Sequence, residues 1–502
     1  MSRFKFLFVG LTIFILCFPL LSGTASNTIQ SGPPDWAVEG DQNTARLGWS
    51  VSTAGDVNCD GFDDVIVGAK YYDVGVYLDA GKAYVYYGSE TGLSATPDWE
   101  ATSPTPEYYG YFGAVVASAG DVNGDGCGDV MVSSYNFGSN DVGAVFVWYG
   151  SPSGLSIAPS WKAEHTAIYA HFGWSMGGAG DVNGDGYDDI IAGAYRYDSA
   201  GTSNAYVWYG SASGLGDNGT PANADWVASS DQNLSAFGTS VGSAGDVNGD
   251  GYDDVFVGAS RYSNGETKEG MVFVWYGSST GLGDNGTPAN ADWKAESNQA
   301  DAMFSGDYAN GPDKGSAGTA GDVNGDGYDE FIVGSLLYDN GETNEGAVFM
   351  WYGSASGLNE GVFGNPANAG WMVESNQEGA WLGTAVGKAG DINDDGYDDV
   401  MMSAGFYNYG GSSDTGLVVL WFGREEGLHG SATVGDYDWM NVPPDYQDMY
   451  FGWSLGTAGD VNNDQADDLI IGAQNYNNSF KGLAAVWHGI PRDRIYLPMI
   501  VR

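Results

Sequence analysis

A nine-residue acidic string recurs along the chain, beginning at Asp56, Asp121, Asp181, Asp246, Asp322, Asp391 and Asp460. Each copy reads Asp-x-Asn-x-Asp and ends on an acid at its ninth position. Self-similarity at such spacing restricts a fold more than local propensity does. Every copy must build the same unit and bury its faces against its neighbours. An apolar-Gly pair precedes six of the strings: Leu47-Gly48, Phe112-Gly113, Phe172-Gly173, Phe237-Gly238, Leu382-Gly383 and Phe451-Gly452. The fifth repeat departs, with Phe304-Ser305-Gly306 and an insertion after it.

Apolar runs such as Val65-Ile66-Val67 follow each string, and then aromatic runs such as Val272-Phe273-Val274-Trp275-Tyr276. These runs are short, β-branched or aromatic, and bounded by Gly, Asn, Asp or Ser, so they read as strands. Four strands per repeat, seven times over, predict an all-β seven-bladed β-propeller. Tryptophan segments lie at Trp36, Trp99, Trp161, Trp226, Trp293, Trp371 and Trp439. The first precedes the first acidic string, and none follows the last. The strand around Trp36 is therefore expected to complete the seventh blade, closing the ring and removing an open edge. An open solenoid would call instead for atypical capping repeats. The ring is expected to span residues 34–490.

The alternation within the string is chemical. Hard cations such as calcium take six to eight oxygen ligands. Residues one, three and five can turn toward one centre, a glycine at six permits a sharp bend, and the carbonyl of residue seven joins the acid at nine. The expected ligands are Asp56, Asn58, Asp60, Phe62 and Asp64; Asp121, Asn123, Asp125, Cys127 and Asp129; Asp181, Asn183, Asp185, Tyr187 and Asp189; and Asp246, Asn248, Asp250, Tyr252 and Asp254. The later repeats supply Asp322, Asn324, Asp326, Tyr328 and Glu330; Asp391, Asn393, Asp395, Tyr397 and Asp399; and Asp460, Asn462, Asp464, Ala466 and Asp468. Asn, Asp and Gly also make ordinary turns, but seven turns would not all need the same closing acid. Up to seven structural Ca2+ ions are expected, the seventh site being weakest because Gln465 replaces the bend glycine. Magnesium demands stricter octahedral geometry.

The formal net charge is -48, from 65 acidic and 17 basic residues, and such a surface repels nucleic acid and anionic membranes. The loops account for more than two fifths of those acids. Hydrophobic residues make up 43% of the chain, which separates it from disordered acidic sequences. Residues 1–25 run from Arg3 and Lys5 through an apolar stretch to Ser22, Gly23, Thr24 and Ala25, the order of a cleaved signal peptide. Secretion or cell-surface display follows, with no membrane span in the mature chain. Cys59 and Cys127 then remain. A disulfide is permitted in an exported protein, but neighbouring repeats do not by themselves establish bonding distance. A tail, residues 491–502, follows the last blade.

Phe172-Gly173, the Asp181–Asp189 string and Gly193-Ala194, with Gly68-Ala69, Gly258-Ala259 and Gly472-Ala473 elsewhere, resemble FG-GAP repeats. That family builds the amino-terminal propeller of integrin α-subunits and occurs in many secreted bacterial proteins. The resemblance implies calcium in the loops and ligands on the opposite face. The residue after Gly-Ala is Lys70, Tyr195, Ser260 or Gln474 where the family has proline. No leg domain, membrane span or cytoplasmic tail of an integrin is recognisable, so receptor signalling is not implied.

No catalytic constellation emerges from His165, His171, His429 and His488. Gly277-Ser278-Ser279-Thr280-Gly281 matches a hydrolase nucleophile pattern, yet its equivalents in other repeats mark it as a turn. The chain is expected to be non-catalytic: an adhesion or protein-interaction module or, alternatively, a carbohydrate-binding propeller assisting polysaccharide recognition or degradation. Tyr71, Tyr72, Tyr135, Tyr195, Tyr197, Tyr262, Tyr338, Tyr407, Tyr409 and Tyr476 lie on loops opposite the acidic strings and are candidates for the ligand face.

Overall fold

In the computed structural model, alternating runs of small, β-branched and aromatic residues become seven antiparallel sheets. The structure describes residues 29–30, 32–195, 203–306, 316–430, 432–442, 449–476 and 479–491. The signal peptide, Tyr197, most of the insertion in the fifth repeat and nearly all of the tail lie outside these residues. The first blade runs outward from Leu47–Gly55 through Asp64–Ala69 and Lys82–Tyr86 to Trp99–Ala101. Val51 pairs with Val67, Ile66 with Val85, and Val85 with Trp99. Five further blades repeat this order, with innermost strands Val116–Gly120, Phe172–Gly180, Phe237–Gly245, Ala317–Gly321 and Leu382–Gly390.

The seventh blade contains Phe451–Gly459, Asp468–Ala473 and Leu483–Trp487, and its outer strand is Trp36–Glu39. Trp36 pairs with Val486 and Glu39 with Leu483, so the ring closes as the tryptophan count predicts. Asp35 reinforces the closure, its N–H donating to the Val486 carbonyl and its carboxylate accepting from the His488 N–H, each at 2.9 Å. An unexpected addition lies just upstream. Ile29–Gln30 runs parallel to Trp439–Asn441, the outer strand of the sixth blade. Ala432–Thr433 does the same for the fifth blade.

The blades pack face to face, and the core lies between them. Between the third and fourth, for example, Trp226, Phe237, Val257, Phe273 and Trp275 form one buried cluster. Interlocking rings contribute to this contact, as in Trp226 against Trp275 with centroids 5.3 Å apart. At six of the seven junctions the outer tryptophan also reaches into the next blade. Its indole N–H donates to a backbone carbonyl there: Trp36 to Ser94, Trp99 to Ser156, Trp161 to Asp217, Trp226 to Asp284, Trp293 to Val362 and Trp371 to Gly430. Small residues line the inner strands and leave a central channel of about 470 Å³.

The irregular fifth repeat resolves simply. In the other six repeats the glycine of the apolar-Gly pair is left-handed, as at Gly238 with φ 80°. Ser305 adopts that conformation at φ 56°, so Phe304-Ser305 is the counterpart of the pair and Gly306 already belongs to the insertion.

Candidate metal loops and the opposite face

Every acidic string joins the innermost strand of its blade to the next, so all seven lie on one face. The turn brings the predicted side chains inward. In the first loop Asp56 accepts from the N–H groups of Asp60 at 3.0 Å and Gly61 at 2.7 Å. Asn58 also accepts from the Asp60 N–H, and Asp60 accepts from the Phe62 N–H at 3.2 Å. The third loop repeats the pattern with Asp181, Asn183, Asp185 and Tyr187. In the seventh, Gln465 takes φ 80° and still donates to Asp460 at 2.8 Å. That loop keeps its shape by holding a non-glycine residue in a conformation glycine favours, at a cost of order 1 kcal/mol.

The ninth-position acids are fully buried: Asp64, Asp129, Asp189, Asp254, Glu330, Asp399 and Asp468 all have 0% exposure. Each clamps its own loop. One Asp64 oxygen accepts from the Val57 N–H at 3.0 Å and the other from the Gly88 N–H at 2.9 Å. The Gly-Ser turn carrying Gly88 joins the third and fourth strands, so the acid pins that turn to the acidic loop. The turn that mimicked a nucleophile motif belongs here too, where the Ser278 hydroxyl donates to the Gly281 carbonyl at 2.7 Å.

Burial pushes these acids up, to about 7 for Asp129, about 8 for Asp64, Asp189, Asp254 and Asp468, and about 9 for Glu330. The carboxylates at positions one and five add to the rise, and the backbone N–H groups oppose it. Asp399 is raised in the same way. Glu330 Oε1 has no hydrogen-bond partner, although the Gly353 N–H is near enough to oppose the rise in its pKa. A buried, unneutralised acid beside two more carboxylates is the environment a cation would relieve. Among the described residues, no three His, Cys, Asp or Glu side chains form a ready-made metal cluster. Instead, loop N–H groups occupy oxygens that a cation would share.

Position eight carries a second role that the ligand pattern passes over. Asp63, Asp188, Asp253, Asp329, Asp398 and Asp467 each accept from the first N–H of the preceding blade's loop, at 2.7–3.0 Å. Asp253 thus holds Asp181, and it fits because Gly180 has no side chain to collide with its carboxylate. The recurrence of Asp at position eight in six of the seven strings was the available signal. Lys388 enters this ring and pairs with Asp398 at 2.9 Å.

The opposite face differs from its tyrosine forecast. Tyr135, Tyr195 and Tyr262 are buried, Tyr71, Tyr72, Tyr338, Tyr407 and Tyr476 are half-buried, and Tyr409 alone of the described candidates is well exposed. The packing has a cause. Lys70, the departure after Gly-Ala, is itself buried, its ammonium 4.0 Å from the Trp49 ring centre and 5.0–5.4 Å from those of Tyr71, Tyr111 and Tyr135. The exposed apolar side chains of this face are instead Val76, Tyr77, Leu78, Tyr108, Tyr109, Ile168, Tyr169, Leu234, Tyr409 and Phe480. On the face of the acidic loops the exposed ones are Ile157, Val362 and Phe363. Tyr77 and Tyr108 meet edge to face at 5.4 Å, and the Tyr109 N–H donates to the Leu78 carbonyl, so this corner is continuous.

Comparison with known proteins matches the FG-GAP repeat family over residues 47–86, 112–148, 172–209, 237–275 and 314–349. Integrin alpha-5 of Xenopus laevis is 35% identical over 170 residues, 32% of this chain and 16% of that protein. Integrin alpha pat-2 of Caenorhabditis elegans is 37% identical over 175 residues, 32% and 14% of the respective chains. Human phosphatidylinositol-glycan-specific phospholipase D is 32% identical over 209 residues, 39% of this chain and 24% of the enzyme. The chain therefore spans less than a quarter of these relatives' lengths. A crystal structure of exotype rhamnogalacturonan lyase YesX aligns over 92% of this chain and 76% of that one, at 12% identity and a TM-score of 0.42.

Proposed function

Because the chain is an FG-GAP repeat propeller related to integrin α-subunits, we propose that it is an exported, calcium-stabilised, non-catalytic module that binds a protein partner on the face away from its acidic loops. The exposed corner at Val76, Tyr77, Leu78, Tyr108 and Tyr109 carries this reading. Scattered exposed apolar residues are ordinary, whereas a contiguous group supports a binding site. Tyr109 is held at φ 60°, Tyr169 at 53° and Leu234 at 59° in the linkers between blades, where the linker into the sixth blade uses Gly379 at φ 70°. Large exposed side chains at such positions cost backbone energy without gaining burial, which supports selection for a contact.

Aliphatic Val76, Leu78, Ile168 and Leu234 favour a protein over a sugar, which stacks on flat rings amid polar donors. Leu78→Ser with Tyr109→Ser should weaken binding at least tenfold to any partner found in a panel of purified extracellular proteins, at unchanged melting temperature. Sugars bound on a glycan array and lost in this variant, with no protein bound, would favour the carbohydrate reading instead.

On the other face, calcium would be held by the oxygens at positions one, three, five and nine and by the carbonyl of position seven in each loop. It supplies charge neutralisation to acids that the fold has already buried. The pH response follows. An acid whose pKa is higher folded than unfolded favours the folded chain while protonated. That contribution is full below about 4 and lost as pH rises toward about 8. The calcium-free chain should therefore melt higher at pH 5 than at pH 8, and saturating calcium should narrow the gap. Calorimetry giving equal melts at both pH values without calcium would contradict it.

A further inference from the structure

The junction between the first two blades is built differently from the others. At four junctions a tyrosine at loop position seven lies across the glycine at position four of the preceding loop: Tyr187 over Gly124, Tyr252 over Gly184, Tyr328 over Gly249 and Tyr397 over Gly325. A methyl group on any of those glycines would collide with the ring. At six junctions the position-eight aspartate adds its hydrogen bond. Between blades one and two, position seven is Cys127, position eight is Gly128, and position four of the earlier loop is Cys59. Both non-covalent clasps are missing, and a Cys59–Cys127 disulfide stands in their place, with Cα atoms 5.1 Å apart. Among the described residues, the bond from the Gly128 N–H to the Asp56 carbonyl, 2.9 Å, also ties the two loops.

Both cysteines are embedded in metal loops. Cys59 sits between Asn58 and Asp60 at φ 56°. Cys127 donates its N–H to Asp125 at 3.0 Å and offers its carbonyl as the position-seven oxygen. A bond between them therefore fixes the backbone of two loops at once.

We propose that Cys59–Cys127 is a redox latch that replaces the Tyr-on-Gly and aspartate clasps, so that blades one and two lock together, and their two loops hold calcium tightly, only in an oxidising compartment. This rests on the calcium reading above. Closure forms one Sγ–Sγ bond as the two thiols give up two electrons and two protons. The acceptor is a small-molecule disulfide, which is cleaved to two thiols. A dithiol reverses the step and becomes a cyclic disulfide itself.

The test uses the full chain, calcium alone as probe, and three proteins: the natural chain, Cys59→Ser with Cys127→Ser, and Cys59→Gly with Cys127→Tyr and Gly128→Asp. The last rebuilds the clasp used at other junctions. Calcium titration and thermal melting are measured with and without dithiothreitol. Reduction of the natural chain, or the double Ser change, should weaken two sites at least tenfold and lower the melting temperature. The rebuilt variant should ignore the reductant. Natural chain and double Ser variant behaving alike in both readouts overturns the latch. If chelation leaves the oxidised chain's melt unchanged, the calcium reading fails by itself. The latch is then decided by whether dithiothreitol lowers the melt of the natural chain but not of the rebuilt one.

Discussion

Stripping the protein with a strong chelator is expected to lower its melting temperature by roughly 10–20 °C. A cation that binds only the folded chain at ten times its dissociation constant contributes about 1.4 kcal/mol. Seven such sites contribute about 10 kcal/mol, as much as the whole net stability of many domains. The structure supports so large a response because the ninth-position acids are not surface groups. Asp64 and its six counterparts are fully buried, and the six aspartates among them pin their acidic loop to a neighbouring turn. Without a cation the positions-one and -five carboxylates crowd that buried acid, and the loop that joins the two inner strands loosens. Scanning calorimetry with and without chelator decides the matter, and matching melts would remove calcium from the account.

The second large effect concerns ring closure. Deleting residues 32–40 should leave a chain that aggregates, with no cooperative melt near that of the intact protein. The strand Trp36–Glu39 covers the outer edge of Leu483–Trp487, and removing it exposes a hydrogen-bonding edge beside apolar side chains. Trp36 also bridges to the first blade, with its ring 4.9 Å from Tyr86 and its indole N–H on the Ser94 carbonyl. Trp36→Ala alone should cost about 3 kcal/mol. Size-exclusion profiles and melts read both variants, and a monomeric deletion variant with an unchanged melt would mean that the closure is dispensable.

Much of this architecture is legible in the repeats. The seven strings place seven inner hairpins, and the offset of Trp36 from the first string locates the closing strand, because period and strand count are properties a single chain displays directly. What stays hidden depends on which blade touches which. The aspartates at position eight look like spare ligands until Asp253 is seen on Asp181 in the neighbouring loop. Cys59 and Cys127 are 68 residues apart, and only the stacking of consecutive blades brings position four against position seven. Tyr135 and Tyr195 sit on loops yet are buried, since loop membership does not say which way a ring turns. The exposed Tyr77, Tyr108 and Tyr109 are equally loop residues, Tyr77 in the short turn bridged by Val74 and Tyr77 and the other two in the linker to the second blade. The parallel pairing of Ile29–Gln30 has no sequence pattern long enough to announce it.

The closing strand has a temporal consequence. Asp35 and His488, which meet beside it, are 453 residues apart in the chain. At roughly 5–20 residues per second, the strand Trp36–Glu39 waits on the order of 20–90 seconds for the one it must pair with. Six blades can stack in order as they appear, each on its predecessor. The seventh cannot be finished by anything made near it in time, and until the strand Leu483–Trp487 has been made the nascent propeller is an open arc with two free ends.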